Sequence, residues 1–105
     1  MRFGLWYPLS SAGDHAPEEP GILQLRLATG LVDYPRGKSA MVHYAQPLHV
    51  RAAALALAAA HAPSAAGLVC RHLFEIPEAT DIGTFYAKLL GEFVRRFGSP
   101  PVFPR

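Results

Sequence analysis

A single cysteine, Cys70, stands in the 105-residue chain, which excludes an intramolecular disulfide framework. Long apolar runs are missing too. The longest, Ala52 to Ala60, is nine residues of mostly alanine, far short of the ~20 that a spanning helix needs. Charge is sparse at 17%, and its eight arginines and two lysines are spread without a run, for a formal net charge of +2. That balance permits nucleic acid as a partner without demanding it. With half of the residues apolar, the low charge excludes a disordered chain. The length sets one domain, which buries roughly two-thirds of its unfolded surface. The opening MRFGLWYPLSS lacks the apolar core and small-residue cleavage site of a signal peptide, so a cytoplasmic, membrane-free protein is the expectation.

Within those limits the chain divides into an amino-terminal strand and loop extension (1–19), a domain (20–97) and a Pro-rich tail (98–105). In the extension, Phe3, Leu5 and Tyr7 alternate before SSAGDHAPEEP, which reads as one edge strand followed by a loop. Leu23, Leu25 and Leu27 then alternate with Gln24 and Arg26, the period of a half-buried strand. TGLVDYPRGKS reads as a long exposed connection to a second strand, AMVHYA, and the pair as a hairpin. The Ala-rich stretch Leu48 to His61 predicts a helix. At 100° per residue Leu48 and Leu55 fall on one side of it and Val50 and Leu57 nearly opposite, so it expects two partners. LVCRHLFEI is a strand with Leu68, Cys70, His72, Phe74 and Ile76 on one face. Asp81 is a natural N-cap for a last helix, Ile82 to Phe97, whose apolar residues recur at i, i+3, i+4 and i+7. Gly98 and Pro100-Pro101 close it. The expected fold is α+β: a small three- or four-stranded, largely antiparallel sheet with flanking helices, in the order (β)ββαβα.

Several motifs have ordinary explanations. Arg36-Gly37-Lys38-Ser39 precedes a strand, and Gly30 and Gly37 enclose six residues where a phosphate loop has four. Five histidines and Cys70 show no metal-ligand spacing, and Cys70 with His72 reads as a buried thiol beside a satisfied core histidine. Lys88, Glu92 and Arg96 form a surface charge ladder.

Three stretches, PGILQLRLA, MVHYAQPLHVRAAALALAAAH and CRHLFEIPEATD, together resemble a degenerate member of the GIY-YIG nuclease superfamily over residues 20–97. Gly21-Ile22-Leu23 stands for the first motif and His43-Tyr44-Ala45 for the second. The resemblance implies that these two strands pair, that a helix with a functional arginine follows, here Arg51, and that a third strand leads to a helix with a metal-binding Glu. Leu23 replaces the first motif's Tyr, His43 takes the second motif's Tyr position with Tyr44 one place on, and Ala45 replaces Gly. Where the Glu belongs the chain reads Gly83-Thr84-Phe85-Tyr86-Ala87. Nothing replaces that ligand unless Glu92 or Glu75 folds back to it.

Such a domain is expected to bind nucleic acid, DNA or RNA, without cleaving it, through Arg26, Lys38, Arg51 and Arg71, with Tyr44 or His43 available to stack. No metal site is expected. Two alternatives compete. One is a homodimeric protein-interaction module met through helix 48–61, with Val50, Ala54 and Leu57 facing the partner. The other is a Mg²⁺-dependent endonuclease with a rearranged site, for which the resemblance implies His43 as the base and Arg51 to stabilise phosphate charge, with Tyr44 as a further candidate.

Overall fold

Alternating leucines make the sheet, and alanines and an aromatic stripe make its helices. The computed structural model describes residues 2–79 and 81–104. Met1, Thr80 and Arg105, and with them the outer ends of the expected extension and tail, lie outside the described residues. In chain order the elements are β1 (Arg2–Phe3), β2 (Tyr7–Pro8), α1 (Ala12–His15), β3 (Leu23–Leu27), β4 (Val32–Tyr34), β5 (Gly37–Ser39), β6 (Met41–Ala45), α2 (Val50–Ala60), β7 (Leu68–Glu75) and α3 (Ile82–Phe97). Short 3-10 turns precede α1 and β7. The class is α+β with antiparallel sheets.

Strand β3 is central. It pairs antiparallel with β6 on one side and β7 on the other, and the far edge of β7 takes both β1 and β2. Leu23, Leu25 and Cys70 turn to the face covered by α1, α2 and the 3-10 turns. There they meet Leu9, Ala12, Ala16, Val42, Val50 and Ala54 in a closed core, each buried leucine contributing roughly 1.5–3 kcal/mol. The extension thus supplies three core side chains, and Phe103 of the tail packs against the same cluster.

Three expectations need correction. The amino-terminal alternation does not make one strand. β1 and β2 are separate pairs of residues on β7, and the chain between them arches off the sheet, leaving Leu5 exposed. The connection between β3 and β6 is not open loop, because β4 and β5 form a hairpin within it. Tyr34 of that hairpin is buried, its ring 5.1 Å from Phe93 and 5.7 Å from Phe97 on α3. Arg36, in the two-residue turn, donates from one Nη to the carbonyls of Val94 and Arg95, at 3.2 and 2.8 Å, where cations suit a helix C-terminus.

The third correction concerns α2. Val50 and Ala54 are buried in this chain's own core and Leu57 packs against it, so the side assigned to a partner is already occupied. Leu48 and Leu55 are the exposed pair. The helix also starts later than expected, because His49 caps it: its Nδ1 accepts from the amide of Ala52 at 3.1 Å. Helix α3 keeps its expected bounds. Asp81 accepts from the amides of Gly83 and Thr84, and Gly98 closes the helix in the left-handed region.

Candidate nucleic-acid interface

Register decides which side chains meet. Gln24 on β3 lies opposite both Tyr44 on β6 and Arg71 on β7, and directly opposed residues of antiparallel strands share a face. Arg26, two positions on, shares it too. The face turned away from the core therefore gathers Tyr44, Gln24, Arg26 and Arg71. Two rings of the amino-terminal segment complete the patch. The Arg71 Cζ stands 4.6 Å from the centres of both Phe3 and Trp6, and the Arg26 Cζ stands 4.1 Å from that of Trp6.

Gln24 is 2% exposed, and its Oε1 accepts a hydrogen bond from Nε of Arg71 at 2.7 Å. That bond sets the direction of the guanidinium and leaves the outer N–H groups to another acceptor. The charge is one-sided. Among the described residues the ion pairs are Arg2 with Glu75, Lys38 with Asp33 and Arg51 with Glu18, so neither Arg26 nor Arg71 has a carboxylate. Burial lowers the Arg71 pKa, with Tyr44 opposing and Arg26 adding to the effect, yet a guanidinium remains charged near neutrality. Two cations side by side on aromatic rings, with no carboxylate against them, suit an anion with a planar, multidentate edge.

No family model, curated protein or solved structure matches the chain. Of the four cationic residues expected to bind, the structure brings Arg26 and Arg71 together. Lys38 lies on the β4–β5 hairpin, exposed and 3.6 Å from Asp33. Arg51 is committed to the extension: its Nε donates to the Ala16 carbonyl at 2.8 Å, its Nη1 binds Glu18, and its amide donates to the Pro17 carbonyl at 3.0 Å.

The candidate catalytic residues His43, Tyr44 and Arg51 do not converge. His43 turns to the core side and stacks on Phe103 at 5.3 Å, with His61 on the same ring at 3.9 Å. Burial lowers its pKa and the neighbouring His61 lowers it further. Tyr44 lies on the opposite face against Phe93, at 5.6 Å. Burial raises its pKa against the pull of Arg71, and Tyr34 adds to the rise. A base, a phenol and an arginine so placed have no common phosphate to act on. Of the two carboxylates offered in place of the family's metal-binding Glu, Glu92 lies on α3 and Glu75 on β7. Glu75 pairs with Arg2 at 3.5 Å, and among the described residues no three His, Cys, Asp or Glu side chains group as metal ligands.

Sequence reasoning missed the aromatic half of the patch. Strict alternation groups Phe3 with Leu5 and Tyr7 and sets Trp6 apart, whereas the arch between β1 and β2 shifts the period and joins Trp6 to Phe3. It also missed a second cluster at the arch. The Tyr7 hydroxyl and His72 Nδ1 share a 3.0 Å hydrogen bond, and His15 lies 5.1 Å from the Tyr7 ring. Cys70 is buried beside them, its thiol pushed up to about 11 by burial, with a hydrogen bond from Tyr7 opposing. Burial lowers His72, which Glu19 opposes, and raises Tyr7.

Proposed function

We propose that the chain is a non-catalytic nucleic-acid-binding module built on a degenerate GIY-YIG-like domain. The element order supports the family reading. Gly21-Ile22-Leu23 leads into β3, His43-Tyr44-Ala45 lies on β6, the two strands pair, and α2, β7 and α3 follow. The observation that carries the function is the Arg26 and Arg71 pair, with no carboxylate paired to it among the described residues, set against Trp6 and Phe3 on one face of the sheet. Phosphate oxygens satisfy the outward guanidinium donors, and the rings give a nearby base a surface to stack on. Cleavage is not part of the reading, since His43, Tyr44 and Arg51 serve separate surroundings.

A binding titration with labelled single-stranded, duplex and branched DNA and RNA tests it. Two phosphate contacts predict a log–log salt slope of about −1.4 for a single strand, hence a roughly sevenfold loss of affinity between about 50 and 200 mM salt. Arg26→Ala and Arg71→Ala should each remove about half of that slope. No binding at the lower salt concentration overturns the proposal.

A further inference from the structure

The arginine patch has a pocket beside it. β1 and β2 pair with the same edge of β7, but Phe3 to Tyr7 is four steps where Leu73 to Cys70 is three. Gly4 still donates its amide to the His72 carbonyl at 3.0 Å, so the extra residue pushes Leu5 and Trp6 outward, and a pocket of about 360 Å³ opens there, lined by Gly4, Leu5, Trp6, Tyr7, His15 and His72. Four of those six residues carry rings. Its volume lies at the small end of ligand pockets, which run from about 300 to 1,000 Å³. Leu5, 89% exposed, stands at this pocket without a protein neighbour to cover it. Trp6 belongs to both places: it borders the pocket, and its ring contacts Arg26 and Arg71.

We infer that this pocket receives one unstacked nucleobase of a single strand whose adjoining phosphates lie on Arg26 and Arg71. The inference rests on the nucleic-acid reading above and narrows it to single strands. A planar heterocycle fits a small ring-walled pocket, stacking on Trp6 or His15. Polar recognition is at hand as well. His72 spends Nδ1 on the Tyr7 hydroxyl, so Nε2 is its second hydrogen-bonding nitrogen. A base held in a duplex is stacked and paired, and enters only at the cost of leaving both arrangements.

Trp6 is the only tryptophan of the chain, so its fluorescence reports on the pocket wall directly. The full chain is titrated with a short single-stranded DNA, with the same strand made abasic throughout, and with the duplex. The expected result is quenching of Trp6 by the base-bearing strand alone, with affinity at least about fivefold above that of the abasic strand. His15→Ala removes an exposed ring outside the core and should bring that ratio toward one while leaving the salt slope unchanged. Arg26→Ala should weaken both strands alike. Equal binding of the two strands without a change at Trp6, or a ratio that His15→Ala leaves intact, overturns the pocket and leaves the phosphate reading standing. Binding of neither strand overturns both.

Discussion

Half-buried imidazoles tie two residues to pH. His43 and His72 both titrate below the ordinary value of 6.5, chiefly because the fold desolvates them. The unfolded chain takes up protons near that value, so below it the unfolded state holds more protons than the folded one and stability rises with pH. The stabilisation is complete above about pH 6.5 and is lost as pH falls toward the folded values. The urea midpoint should therefore drop between about pH 7.5 and 5.5, above the range where carboxylates titrate. His43→Phe keeps a ring against Phe103 and should make the drop shallower. An identical pH dependence in both proteins would assign the effect elsewhere. That Cys70 and His72 share a protected setting was legible from the alternation of LVCRHLFEI. Their partner Tyr7 was not, because it arrives from 65 residues away.

Helix α3 shows what a local pattern can specify and where it stops. Its cap residue, apolar stripe and terminal glycine all belong to one stretch of chain, and each does in the fold what its local chemistry dictates. The stripe's target was not legible. Tyr34 and Tyr44 meet Phe93 from β4 and β6, and hydroxyls from Tyr34 and Tyr86 donate to the Met41 and Tyr44 carbonyls of β6, covering an edge strand that would otherwise offer unpaired acceptors. Strands β4 and β5 have three residues each, too few to show a period, and they pack on α3 through Tyr34 and Arg36. Gly98 sits at this junction with φ +87, and a Cβ on it would lie 2.9 Å from the Cβ of Pro35. Gly98→Ala thus meets backbone strain and a collision with the hairpin together, and should cost more than about 1 kcal/mol by denaturant unfolding. A neutral outcome would mean that the hairpin moves away from α3 without penalty.

At the scale of the molecule, the amino-terminal segment connects the two faces of the sheet. Leu9, Ala12 and Ala16 enter the core on one face, while Phe3 and Trp6 meet the arginines on the other. Composition hid this double role, since SSAGDHAPEEP has the glycine, proline and charge of a solvent-exposed loop. Arg26 and Arg71 were legible as polar positions of half-buried strands, but only the register of β3 with β7 makes them neighbours. Arg51 is the instructive contrast, because the family resemblance assigns it to phosphate and the fold assigns it to holding the segment through Ala16 and Glu18. These two roles separate in experiment. If Arg51 fastens the segment, Arg51→Ala should lower stability by about 1–3 kcal/mol, toward the lower end because the pair is partly exposed, and leave the salt slope of binding to the folded protein unchanged. If it contacts phosphate, stability should hold while the slope falls by about 0.7. Measuring unfolding and salt-dependent binding on the same variant decides between them, and the two bonds to the extension favour the first outcome.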